Sequence, residues 1–168
     1  IDLILGNTII PQHIAAAATP GGTGALRQGL ELIKIANPRA TIWLSDPTWP
    51  NHPSIAEHLE LKVAKYRYFN KLSQSVSFDE MLIDLSNAKE GDVVLLHGCC
   101  HNPTGANLNH SQWVALAELL CEKRLVPLID IAYQGFGDGL EEDTKGLRHL
   151  SENLPEVIIA SSCSKNFG

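Results

Sequence analysis

The feature that most constrains this chain is an alternation. Short apolar runs rich in β-branched residues take turns with segments whose apolar residues recur at helical spacing. The runs cover 13–19 (Ala-rich), 41–46, 62–69, 93–99, 125–133 and 157–162. Most of the later ones are nearly continuous, as expected for strands covered on both faces. The run 62–69 alternates instead, with Lys65 and Arg67 among aromatic residues, and reads as an edge strand. Between the runs, 25–36 predicts a helix with Leu26, Leu30 and Ile33 on one face, ending at Asn37-Pro38. Ser77 to Glu80 has the spacing of a capping box, opening a helix with Met81, Leu82 and Leu85 inward. Segment 109–124 places Trp113, Leu116, Leu119 and Leu120 at helical spacing, with Lys123 and Arg124 at its C-terminal end. A shorter helix is expected over 144–154. Strand–helix alternation of this kind implies parallel β-α-β units, hence an α/β fold: three layers, α/β/α, around a mostly parallel sheet.

Composition narrows the function. A length of 168 residues suits one domain, and 44% apolar against 19% charged residues is too hydrophobic for a disordered chain. Thirteen basic against 19 acidic residues give −6, the wrong sign for a general nucleic-acid or anionic-membrane binder. No apolar run reaches the roughly 20 residues needed to span a bilayer. Cys99, Cys100, Cys121 and Cys163 do not form the pattern of a secreted disulfide framework, since two are adjacent and the chain is core-rich. A reducing, cytoplasmic compartment is the expectation, with an organellar one left open. Seven histidines and the string Cys99-Cys100-His101 invite a metal, but no second half-site of zinc spacing follows, so none is expected.

In parallel sheets ligands bind beyond the carboxyl ends of the strands, and unusual residues collect there. The first run leads to Thr19-Pro-Gly-Gly-Thr-Gly24 and a helix, a place where small residues and free N–H groups hold phosphate, or simply a turn. The second leads to Asp46-Pro-Thr-Trp-Pro-Asn-His52, a stiff loop that presents a flat ring or packs a Trp beneath itself. The fourth leads to His97-Gly-Cys-Cys-His-Asn-Pro-Thr-Gly105, whose last four residues have turn chemistry. Asp130 lies within an apolar run before Tyr133 and needs a partner if charged. The sixth run ends in Ser161-Ser-Cys-Ser-Lys165, an amine flanked by hydroxyls, either reactive or an ordinary surface lysine. Together, a phosphate cradle, an aromatic platform, polar groups, a buried anion and an amine match one cofactor, pyridoxal 5'-phosphate.

The strings 20–27, 45–52, 96–105, 130–136, 139–143 and 161–168 resemble, in order and spacing, class I aminotransferases of the branch holding aspartate and aromatic aminotransferases. Residues 1–18 carry the weakest likeness. The resemblance implies the large domain of fold-type I pyridoxal-phosphate enzymes. It implies amino transfer between aspartate or an aromatic amino acid and a 2-oxo acid such as 2-oxoglutarate. Lys165 would form the Schiff base and move the substrate's α-proton, and Asp130 would pair with the protonated ring nitrogen. His52 would stand behind Asp130. Trp49 would pack on the ring, and Asn102 and Tyr133 would bond its phenolic oxygen. Trp49 and Asn102 would also meet the substrate, while Gly22, Thr23 and Ser162 would hold the phosphate. His97 would act from behind these groups, and Cys99, Cys100 and His101 would hold no metal.

Family chains are more than twice this long, so residues 1–168 are expected to be part of the cofactor-binding large domain of a homodimeric enzyme. The small domain, the substrate-gripping arginines and a seventh, antiparallel strand would lie elsewhere. Without that strand, the first run is expected to stay unpaired or to lie against the sixth. A rival reading is a truncated, catalytically incompetent piece that folds or binds cofactor only. Another is a dinucleotide-binding domain built on Gly21–Gly24, which lacks the third glycine spacing and leaves Asp130 and Lys165 unexplained.

Overall fold

In the computed structural model, residues 1–7, 9 and 11–168 are described. In chain order come α1 (Asp2–Leu5), α2 (Gly21–Ala36), β1 (Thr41–Asp46), α3 (Asn51–His58) and β2 (Lys62–Arg67). A hairpin of β3 (Phe69–Asn70) and β4 (Ser75–Val76) follows, then α4 (Phe78–Leu85), β5 (Val93–His97), α5 (His110–Lys123) and β6 (Val126–Ile131). The chain continues through α6 (Lys145–Asn153), β7 (Ile158–Ser161) and α7 (Ser164–Phe167). Five strands form one sheet in the order β2-β1-β5-β6-β7, and every neighbouring pair is parallel.

The continuous apolar strands have two apolar faces because both are covered. Along β5, Val93 and Leu95 join one core with Leu26, Leu30 and Ile33 of α2 and Ala56 of α3. Val94 and Leu96 point the other way, into a second core with Met81, Leu85, Trp113, Leu120 and Leu147 from α4, α5 and α6. On β6, Leu128 serves the first core and Ile129 and Ile131 the second. These are the three expected layers. β2 is one of the sheet's two edges, as its alternation predicts, with Lys62, Lys65 and Arg67 exposed. Among the described residues no helix is long and apolar enough to cross a membrane.

Three local expectations are corrected. The run 13–19 is not a strand: a 3-10 turn takes Pro11–His13, and 14–19 run on without a ladder, with Ala15–Ala18 exposed. A strand exists only through a partner, and no other strand lies beside this segment among the described residues. Ser77 caps α4 without a side-chain hydrogen bond, so that capping box does not form. One forms instead at α5, where Asn109 Oδ1 accepts from Gln112 N and Gln112 Oε1 accepts from Asn109 N, each at 2.9 Å. Finally, the run 62–69 breaks after Arg67, and Phe69 starts the small hairpin.

Candidate active site

β6 reads Val-Pro-Leu-Ile-Asp-Ile, and its one charged side chain stands in register with His97 on β5 and Ala160 on β7. Asp130 therefore sits at the carboxyl edge, only 12% exposed, where an unpaired charge is costly. Its partner is His52, whose fully enclosed ring brings Nε2 to 2.9 Å from Asp130 Oδ2. His52 is delivered by the first turn of α3, a helix that starts directly after Pro50, within what the sequence suggested was all loop. Its other nitrogen, Nδ1, lies 2.8 Å from Thr48 Oγ1. The Trp49 ring meets the His52 ring edge-on, with centroids 5.4 Å apart.

Trp49 and Asp130 border a cavity of about 280 Å³ at the strand ends, which Asn102 and Tyr133 also line. Gly22, Thr23, Ser162 and Lys165 complete its wall. There α2 begins, capped by Pro20 without a side-chain hydrogen bond. Gly21 N donates to Thr19 O at 2.8 Å, which leaves the N–H groups of Gly22 and Thr23 as the first-turn donors for a ligand. Gly21 takes φ +70°, which suits glycine, and a Cβ on Gly22 would come within 3.1 Å of Ser162 Cβ. Ser162 N donates to Ile131 O at 3.1 Å, tying the end of β7 to β6. The Ser162 and Ser164 hydroxyls are 3.0 Å apart. Lys165 follows within α7, an exposed amine at the rim.

A row of histidines runs back from the cavity, whose wall His97 joins. His97 and His52 lie 5.0 Å apart by ring centroid, and His97 and His101 4.2 Å apart. Burial first, then the neighbouring His52, holds His97 down to about 4, although Asp130 pulls the other way. His101 is held down to about 3 by burial, then by His97 and His52. His101 stacks on Tyr68 and hydrogen-bonds Ser45 Oγ at 3.0 Å and Thr104 Oγ1 at 2.8 Å. Both His97 nitrogens are buried without a hydrogen-bond partner among the described residues. His52, His97 and Asp130 bring ligand atoms within 4.8 Å of one another. His52, however, directs both nitrogens to Asp130 and Thr48.

Every site residue expected from the sequence borders the cavity except His52, which stands behind Asp130. Thr48 and Ser164 were not foreseen. Thr48 stands four residues before His52, a spacing that signals contact only once α3 is known to begin there. The residues fit a planar, phosphorylated heteroaromatic aldehyde. A helix N-terminus and Ser162 suit its anion, Asp130 a protonated ring nitrogen, Trp49 its ring and Lys165 its carbonyl carbon.

The aromatic-amino-acid aminotransferase of Paracoccus denitrificans is 57% identical over 99% of this chain and 42% of its own length. The aspartate aminotransferase of Salmonella typhi is 50% identical over 97% and 41%, respectively. A solved structure of an aromatic-amino-acid aminotransferase from Burkholderia pseudomallei, covalently bound to pyridoxal phosphate, superposes with a TM-score of 0.90 at 41% identity. It is covered over 42% of its chain by 97% of this one. The chain thus spans about two fifths of the length of these relatives. With the sequence model for aminotransferase class I and II matching residues 3–168, the chain belongs to that family.

Proposed function

We propose that residues 1–168 form part of the cofactor-binding large domain of a pyridoxal-phosphate-dependent aminotransferase. The enzyme would move an amino group between an aromatic amino acid or aspartate and a 2-oxo acid. The observation that carries this reading is the convergence of Asp130, backed by His52, with Lys165 and the Gly22–Ser162 cradle on one cavity. The names and identities of the relatives support the substrate classes. Those relatives are longer, so a second copy and the rest of the enzyme belong to the full reaction. The four free cysteines agree with a reducing, cytoplasmic setting.

When bound, pyridoxal phosphate supplies an aldehyde for amines and a ring that takes up negative charge. The protein's own groups do the rest. The Asp130 carboxylate holds a proton on the ring nitrogen. His52 Nε2–H keeps that carboxylate oriented, because a carboxylate can only accept. Gly22, Thr23 and Ser162 seat the phosphate at the start of α2. Trp49 would hold the cofactor's ring, and Asn102 and Tyr133 would bond its phenolic oxygen, Asn102 also meeting the substrate carboxylate. Lys165 Nζ would hold the cofactor's aldehyde carbon, and its amine would serve as the base for the substrate's α-proton.

The test is an intact mass of the chain after pyridoxal phosphate and borohydride, with the adduct mapped by peptide digestion. One reduced cofactor on Lys165 is expected. Adducts scattered over surface lysines, with none on Lys165, would overturn the reading.

A further inference from the structure

Three clustered groups, two of them in the cavity wall, have no part in that scheme. Cys99 and Cys100 follow β5 where the chain bends out of the sheet, Cys100 with φ +47°. Both line the cavity, and Cys99 is itself buried. The third group is Asp143, buried in the 3-10 turn Glu142–Thr144. Asp143 Oδ2 accepts from Gly135 N at 2.8 Å and Gly137 N at 3.0 Å, and Oδ1 accepts only from Asp138 N at 2.9 Å. One acceptor direction of Oδ1 is therefore left over. The two sulfurs and a carboxylate oxygen lie within 4.8 Å of one another.

We propose that Cys99, Cys100 and Asp143 form a capture site for a divalent thiophilic cation of the zinc and cadmium class, loaded from the cavity. Two thiolates and one carboxylate are a ligand set for such ions, which take water as a fourth ligand. A disulfide is the poorer use of the pair. Adjacent Cα atoms stand about 3.8 Å apart, short of the roughly 4.4–6.8 Å that ordinary disulfides span. The electrostatics point the same way. Burial first pushes both thiols up, followed for Cys99 by Cys100 and Asp143 and for Cys100 by Asp143, so they stay protonated and poor nucleophiles. A dication cancels the repulsion among three anions in one place. As each sulfur–metal bond forms, that thiol's proton goes to solvent, two protons per cation. Cys100 Sγ also lies 4.0 Å from the Tyr133 carbonyl, and Asp143 holds the loop that follows Tyr133. A cation here pulls on the backbone carrying Tyr133, so it acts as an inhibitor and not as a reaction partner.

The test titrates the chain carrying Cys121→Ser and Cys163→Ser with Cd²⁺, reading the ultraviolet sulfur-to-metal charge-transfer band and the protons released. One cation per chain and two protons per cation are expected. Cys99→Ser and Cys100→Ser should each weaken binding about tenfold or more and reduce the band, with circular dichroism unchanged. Cadmium-113 NMR of the parent should show two sulfurs plus oxygen, which reports on Asp143 even if Asp143→Asn fails to fold. Unchanged cadmium binding in the doubly substituted Cys99→Ser, Cys100→Ser chain would overturn the site, as would one cation shared between two chains. The titration needs no pyridoxal phosphate, so its failure leaves the amino-transfer reading standing.

Discussion

His52 and Asp130 are 78 residues apart in sequence and 2.9 Å apart in space, Nε2 to Oδ2. Because the carboxylate only accepts, Nε2 carries the hydrogen, while Nδ1 lies 2.8 Å from Thr48 Oγ1. The result is a chain of contacts from Thr48 through His52 to Asp130, ending on a nearly buried anion. Replacing His52 by Leu leaves that anion without its side-chain donor. The chain should lose about 2–3 kcal/mol of stability at pH 7, a hydrogen bond to a charged group being worth roughly 1.5–3 kcal/mol. Urea denaturation measures it. A change below about 0.5 kcal/mol, the size of an ordinary surface substitution, would mean that Asp130 is satisfied some other way.

Lys165 and Asp130 should separate attachment from turnover. Lys165→Ala is expected to abolish the borohydride-trapped adduct. Asp130→Asn keeps the shape but not the charge, so the adduct should persist. In the complete enzyme, amino transfer by this variant should fall about a thousandfold or more, because removing a preorganised charge at the reacting centre costs at least 10²–10³. Equal turnover in Asp130→Asn would remove the carboxylate from the chemistry.

The layers were legible in the sequence wherever a strand's own residues decide its state. Val93, Val94, Leu95 and Leu96 are apolar on both faces because α2 and α5 cover both. Segment 13–19 was not legible, since a strand depends on a neighbour that composition does not encode. The site was legible by position: Asp130, Asn102 and Lys165 all follow or end strands on the ligand side of a parallel sheet. Thr48 and Asp143 were not, as each matters only through a contact made by folding. Asp143 in particular is hidden in a run of acidic residues, Glu141 to Asp143, that reads as solvated surface.

Gly22→Ala tests the cradle. The new methyl would stand 3.1 Å from Ser162 Cβ, so the end of β7 or the start of α2 must shift by a few tenths of an ångström. Affinity for pyridoxal phosphate should fall about tenfold, the equivalent of 1.4 kcal/mol. Affinity for pyridoxal, which has no phosphate to seat, should barely change. Fluorescence titration with both ligands distinguishes the cases. An equal loss for both would place the phosphate elsewhere.

The buried histidines set how the fold responds to acid. His97 and His101 ordinarily titrate near 6.5, and folding lowers them to about 4 and about 3. Between those values and 6.5 the unfolded chain binds protons that the folded chain refuses. Their contribution is therefore complete above pH 6.5 and drains away as the pH falls, by up to about 1.4 kcal/mol per pH unit for each proton. His101→Gln keeps hydrogen bonding toward Ser45 and Thr104 but does not titrate. Its stability should fall less steeply than the parent's between pH 6.5 and 4, even if it is lower at pH 7. Urea midpoints at half-unit pH steps measure both slopes, and parallel lines would show that His101 is already protonated in the fold.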